Sequence, residues 1–128
     1  MTQKPVPDEV RRFVLTSVPS VPYLEALLLL RSERARAWDA FLVASRLYIG
    51  EPQALELLQA LQAAGIASRT EQGQFQFAPG TPDLAAVLDA VAATYAANLV
   101  GVTQLIHSRI DKRAMQFADA FRWKKEDR

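Results

Sequence analysis

The sequence predicts a mainly helical protein with a small β-hairpin, and three observations lead to this prediction. Alanine and leucine, two strong helix formers, occupy 37 of the 128 positions. Apolar residues recur at helical spacing through several segments of the chain. Over residues 66–71 and 74–78 the pattern changes to alternation, and Gln72 and Gly73 separate the two runs, which is typical of a β-hairpin.

Composition narrows the class of protein before any motif is considered. The chain has 15 basic and 14 acidic residues, a formal net charge of +1, one histidine and no cysteine. These counts exclude a disulfide scaffold, a cysteine zinc site and a histidine-rich metal site. The N-terminus lacks the apolar segment of a signal peptide, and the charge-free stretch 90–108 is rich in alanine and carries Thr94, Asn98, Thr103 and Gln104. We therefore expect a cytoplasmic protein without a cofactor or a membrane span.

Two helices are predicted in the first quarter of the chain. Pro7 suits a first helical turn, and the apolar residues after it recur at helical spacing as far as Val18. Pro19 ends this helix, and Ser20 is placed to cap a second helix that runs to about Arg31. The second helix is apolar on nearly all sides at its end, which predicts a central place in the core.

Two further helices are predicted close together, over about residues 40–48 and 51–64. Asp39 is placed to cap the third helix, and a break at Gly50 is followed by a proline that suits the start of the fourth. Gly65 lies just past the end of the fourth helix, the usual place for a C-cap glycine. Short helices joined by a tight break are typical of a helix-turn-helix.

The residues around this break support the motif. Ala44 is small where the two helices approach, and Leu47 and Ile49 fill the turn. The fourth helix has an apolar stripe at helical spacing, formed by Ala54, Leu57, Leu58 and Leu61. With the hairpin that follows, residues 38–78 resemble the winged helix-turn-helix superfamily of bacterial transcription regulators, broadly of the MarR or PadR type. Many such motifs have glycine where this sequence has Tyr48, so we expect that side chain to point out of the turn.

The resemblance implies a winged helix-turn-helix fold and a DNA-binding transcription regulator. In this architecture the second helix of the motif enters the major groove and presents its exposed N-terminal residues to base edges. Glutamine suits adenine, glutamate accepts from cytosine, and arginine neutralises phosphates. The predicted DNA contacts are Arg34, Arg36, Arg46, Gln53, Glu56, Gln59 and Arg69, with Arg31 as a further phosphate contact.

One alternative follows from charge. The segment 39–64 carries three acidic residues against Arg46, a net charge of −2, whereas DNA affinity comes mainly from cations near phosphates. Leu55 is apolar at a position where the motif is solvent-exposed. The alternative is a degenerate winged helix that binds another protein instead of DNA, through Leu55 or through the C-terminal tail.

A long helix is predicted over residues 83–110, with Thr81 as its cap and Pro82 in its first turn. Its stripe alternates spacings of four and three residues, as in a coiled-coil seam. Its length of about 42 Å exceeds what a small core needs, so we expect a homodimer. The predicted dimerisation residues are Leu84, Leu88, Val91, Tyr95, Asn98, Val102 and Leu105, with Asn98 fixing the register. The alternative is that the stripe packs within its own chain.

We divide the chain into two parts that together form one compact unit. Residues 1–80 contain the N-terminal helices and the winged motif. Residues 81–128 contain the long helix and a basic amphipathic tail. The tail, residues 109–128, has seven basic and four acidic residues. Aromatic side chains are interleaved with these charges and are candidates for protein docking, although closing the core is the alternative: Phe117, Phe121 and Trp123.

No enzyme is expected. His107 is the only histidine, and its neighbour Ser108 does not face it because adjacent helical residues point apart. The sequence has no nucleophile elbow and no glycine-rich phosphate loop. Trp38 and Tyr95 are candidate lining for a small effector pocket, but such residues are more often core.

Overall fold

A computed structural model describes residues 5–110 of the chain. These residues form six α-helices and a two-stranded antiparallel sheet, which confirms the mainly helical class with a small hairpin. The elements are α1 Asp8–Ser17, α2 Val21–Ser32, α3 Ala40–Leu47, α4 Glu51–Ala63, β1 Ala67–Arg69, β2 Phe75–Phe77, α5 Pro82–Ala97 and α6 Leu99–Ile110. The predicted tail candidates Phe117, Phe121 and Trp123 lie outside the described residues.

The chain divides into two compact units. One unit is Val21–Ala92, and the other consists of the described residues of Met1–Ser20 and Ala93–Arg128. In the second of these, the fully buried apolar side chains are those of Val10, Val14, Val18, Val102 and Ile106. No single helix within residues 5–110 is long and apolar enough to cross a membrane; two bent pairs of helices meet the criterion only when each pair is taken together.

The core of the unit Val21–Ala92 is built around α2. This helix packs against α3, α4 and β2, and its apolar residues are buried on several sides, as its sequence predicts. From α4, Ala54, Leu58 and Leu61 are buried, whereas Leu57 is only half-buried. Asp39 caps α3 by accepting a hydrogen bond from the Leu42 N–H at 2.8 Å, as predicted.

The hairpin is shorter than predicted, and its turn includes Glu71 as well as the expected Gln72 and Gly73. Strand β1 pairs with β2 in the register Ala67↔Phe77 and Arg69↔Phe75. The Gly73 N–H donates to the Thr70 carbonyl at 3.0 Å, and Gly73 has φ 82°, which closes a tight turn followed by a left-handed residue.

Trp38 pairs with the hairpin as a third, one-residue strand, which the sequence did not predict. Its N–H donates to the Phe75 carbonyl at 2.6 Å, and its carbonyl accepts from the Phe75 N–H at 2.7 Å. Gln76 donates to the carbonyls of Arg34 and Ala35, so the α2–α3 connection is tied to the hairpin at two places. The Trp38 side chain is fully buried, which confirms the expectation that it is a core residue rather than pocket lining.

The turn between α3 and α4 depends on a left-handed tyrosine. Tyr48 has φ 57° and ψ 46°, and among the non-glycine residues of the described chain it alone has a positive φ. Its N–H donates to the Ala44 carbonyl, and its side chain is 94% exposed, which confirms that it points out of the turn. This conformation costs a residue with a Cβ about 1–2 kcal/mol, so the turn stores strain at Tyr48.

Replacing Tyr48 with glycine is expected to stabilise the fold by about 1 kcal/mol, because glycine adopts this backbone conformation without a steric penalty. The measurement is the free energy of unfolding in urea. Tyr48→Ala is the matched control, since it removes the exposed ring but keeps the Cβ and the strain. Equal stabilisation in both variants would place the cost in the ring and contradict this account.

The predicted single helix over residues 83–110 is wrong. Helix α5 ends at Ala97, Asn98 is not helical, and α6 begins at Leu99. The Asn98 side-chain oxygen accepts a hydrogen bond from the Gly101 N–H at 2.9 Å, so Asn98 caps α6. Asparagine favours such local bonds over a helix interior, which explains the break. At the start of α5, Thr81 accepts from the Leu84 N–H at 3.1 Å, as predicted.

The cap at Asn98 depends on the small size of Gly101. A Cβ at position 101 would lie 2.5 Å from the Asn98 amide nitrogen and 2.8 Å from its side-chain carbon. Asn98 is buried, so this side chain has little room to move away.

A double-mutant cycle tests this packing. Asn98→Ala is expected to cost about 1 kcal/mol through the lost cap, and Gly101→Ala about 1–2 kcal/mol through the clash. In the Asn98→Ala background Gly101→Ala is expected to cost little, since the obstructing side chain is gone. The readout is the free energy of unfolding. Additive losses would show that the two residues do not act together.

Candidate nucleic-acid interface

Five arginines define the candidate site, and all belong to the unit Val21–Ala92. We call them the arginine surface. They come from the end of α2, the α2–α3 connection, α3 and β1: Arg31, Arg34, Arg36, Arg46 and Arg69. All but Arg31 are exposed, and Arg31 is partly buried. The four arginines of the predicted DNA contacts thus remain accessible in the folded chain.

Buried aromatic rings support four of these arginines. The guanidinium of Arg36 lies 5.1 Å and that of Arg46 lies 5.5 Å from the centre of the Trp38 ring. Arg69 lies 4.4 Å from the Phe75 ring. Cation–π contacts of this kind contribute about 0.5–1 kcal/mol at exposed sites and restrict the positions that the guanidinium group can adopt.

Phe77 supports Arg34 in the same way, at 5.6 Å. The rings of Phe75 and Phe77 are both buried, and they belong to the same strand, β2. Because β2 also pairs with Trp38, one small sheet carries every ring beneath the arginine surface. The Trp38 indole N–H is buried without an acceptor among the described residues. The ring therefore contributes cation–π contacts through its face and packing through its volume.

Two carboxylates neutralise part of the arginine surface. Arg31 and Arg34 both bind one oxygen of Asp89, at 2.8 and 3.0 Å. The hydrogen bond from Arg31 lowers the pKa of Asp89, and the positive charges of Arg31 and Arg34 add to this effect. Asp89 therefore stays ionised at neutral pH.

Glu33 is the second of these carboxylates. One of its oxygens lies 3.1 Å from Arg36 and the other lies 3.3 Å from Arg46. Each carboxylate thus binds two arginines, and Arg69 instead donates to the Gly73 carbonyl at 3.4 Å. Five guanidinium charges share two carboxylate charges, so the arginine surface keeps a positive excess.

Helix α4 presents a different surface. The predicted base contacts Gln53, Glu56 and Gln59 are all exposed on it, together with Glu51. Leu55 is 39% exposed, as predicted, and no lysine or arginine occurs between residues 47 and 68. The structure therefore gathers the arginines around the hairpin and the α2–α3 connection, while the polar candidates lie on α4.

The unit as a whole is acidic. Val21–Ala92 contains five arginines and no lysine, against eight aspartates and glutamates, a net charge of −3. Any attraction to a polyanion must therefore be local to the arginine surface, since the net charge of the unit opposes it.

Part of the predicted dimerisation stripe is buried within the chain. Leu88, Val91, Asn98 and Val102 are buried, and Leu84, Tyr95 and Leu105 are partly buried. Asn98 caps α6, a local role that the sequence did not predict. The large apolar side chains left exposed on α6 are instead Leu99, Val100 and Ile110.

No protein-family model matches the chain, and no curated protein or solved structure matches it significantly. Its function is therefore inferred from its own residues.

Proposed function

We propose that Val21–Ala92 is a winged helix-turn-helix domain and that the protein is a DNA-binding transcription regulator. The order of α2, Trp38, α3, α4 and the hairpin supports this fold, since it places two helices joined by a three-residue turn in front of a two-stranded wing. In this proposal α4 lies in the major groove, where Gln53 and Gln59 contact adenine edges and Glu56 contacts cytosine.

The observation that carries the proposal is the arginine surface. Arg46 lies near the end of α3 and Arg69 lies on the wing, so Arg46 precedes α4 in the sequence and Arg69 follows it. Their guanidinium groups are exposed and rest on buried rings, which lowers the entropy lost when they bind phosphate. These arginines contact phosphates and position the domain, while α4 reads the sequence.

A homodimer is part of the proposal. Regulators of this type recognise two half-sites, and a two-fold dimer matches that symmetry. Because much of the predicted seam is already buried, we place the contact between copies at the exposed apolar residues of α6. Sedimentation equilibrium tests this directly, since a dimer has twice the mass of the 14.2 kDa chain.

The test of DNA binding is fluorescence anisotropy with a labelled duplex of mixed sequence, titrated from low to physiological salt. We expect log K to fall linearly with log salt, because arginine contacts release counterions from the duplex. The five arginines of the arginine surface in each protomer contribute at most about −9 to the slope of a dimer. Absence of binding at low salt would refute the proposal.

A second candidate is a protein-interaction module, favoured by the exposed apolar side chains of the helix-turn-helix. Phe41 is 63% exposed, and Leu55 on α4 lies between Glu51 and Glu56 in sequence. This chemistry fits a basic amphipathic segment of a partner protein. The probe is a basic amphipathic peptide, and this candidate predicts that Leu55→Ala weakens its binding while the DNA titration shows none.

A further inference from the structure

The two carboxylates on the arginine surface occupy the groups that a phosphate would bind. One oxygen of Asp89 accepts from Nε and Nη2 of Arg31, at 3.0 and 2.8 Å, and from Nη2 of Arg34 at 3.0 Å. Glu33 accepts from Arg36 and Arg46 with its two separate oxygens. Four of the five arginines are therefore engaged by acidic side chains of their own unit.

These contacts are weak enough for a competing anion to replace them. Exposed ion pairs of this kind stabilise a fold only weakly, and Asp89 is more than half exposed. A phosphate oxygen accepts from a guanidinium with the same geometry as a carboxylate oxygen. Where both compete for one arginine, the carboxylate holds the advantage of being attached to the same chain.

We propose that Glu33 and Asp89 are internal counter-anions of the arginine surface, which backbone phosphate must displace, and that these two residues limit the affinity for DNA. This inference rests on the proposed function. The surface binds phosphate with four arginines only when both carboxylates have released them. Asp89 lies on α5, 58 residues from Arg31 in the chain, so the limit is a property of the fold rather than of one segment.

The test compares neutral variants of the two counter-anions with matched controls. Glu33→Gln and Asp89→Asn each remove one negative charge beside the arginine surface. Glu25→Gln on α2 and Asp83→Asn on α5 remove the same charge from exposed positions that form no ion pair within residues 5–110. The probe is the labelled mixed-sequence duplex, and thermal melting verifies that each variant remains folded.

We expect Glu33→Gln and Asp89→Asn to raise the association constant about threefold to tenfold at low salt. The salt slope changes little, because the same arginines contact phosphate in every complex and only the cost of displacing a carboxylate is removed. The controls change the affinity less than twofold and leave the slope unchanged.

Each other outcome refutes a specific statement. If the controls strengthen binding as much as the two variants, net charge alone acts, and the counter-anion role is refuted while DNA binding stands. If the unmodified protein and its four variants all bind equally, the carboxylates do not compete with phosphate. If none of the five binds the duplex at low salt, both the proposed function and this inference fail.

Discussion

Replacing Trp38 with alanine is expected to destabilise the unit Val21–Ala92 by about 3–5 kcal/mol, the largest stability loss that we predict for a single substitution. The indole is fully buried and is the largest side chain in the core. Its backbone pairs with Phe75 of β2, so the residue is fixed against the hairpin, and alanine at this position would leave a cavity in the core. A loss of this size is a large fraction of the roughly 5–15 kcal/mol that stabilises a typical domain.

The matched control is Trp38→Phe, which keeps an aromatic ring. Because the indole N–H has no acceptor within the described chain, phenylalanine removes volume without breaking a hydrogen bond. We expect this variant to lose about 1–2 kcal/mol, well below the loss of the alanine variant. Urea unfolding followed by far-ultraviolet circular dichroism gives both values. Comparable losses in the two variants would show that the indole is not packed as described.

The order of helices and the hairpin could be predicted because local chemistry determines them. Asp39 and Thr81 bind the first turns of α3 and α5, and Gly65, just past α4, has φ 76°. The stripe of α4 follows from the spacing of its leucines. Such features depend on residues within about four positions of one another, and a single sequence displays them directly.

The break at Asn98 lies at the limit of what local reasoning can find. Asparagine and Gly101, three residues apart, form a capping pattern that the sequence contains. The apolar repeat on both sides of it gave the stronger signal and predicted one helix. A cap inside a periodic stripe is thus a sign of two helices, and the local hydrogen bond outweighs the repeat.

The full chemistry of the arginine surface could not be predicted because several of its partners are distant in sequence. Arg31 and Asp89 are 58 residues apart, and Gln76 reaches the Arg34 carbonyl across 42 residues. The sequence identified the arginines as phosphate contacts, but not the rings and carboxylates that hold them. The spacing of Arg36 and Trp38 was a usable signal, since alternate residues share a face once the segment is extended.

Removing Arg46 and Arg69 together is expected to weaken DNA binding by about a hundredfold to a thousandfold at low salt. In a dimer the double alanine variant loses four phosphate contacts, each worth about 1 kcal/mol. The salt slope becomes less steep by about four, and the loss is the same for every duplex sequence, because phosphates carry no sequence information. Each single variant produces about half of the change in slope.

Two controls separate phosphate contact from other effects. Arg11→Ala with Arg12→Ala removes the same charge from exposed positions of α1, outside the arginine surface, and is expected to leave the slope nearly unchanged. Gln53→Ala is expected to preserve the slope and alter the preference among duplex sequences, because glutamine on α4 reads base edges. If the Arg11 and Arg12 variant weakens binding as much as the Arg46 and Arg69 variant, the total charge of the protein determines its affinity for DNA. The arginine surface would then have no specific role, and Leu55 and its neighbours on α4 would become the surface to test against a protein partner.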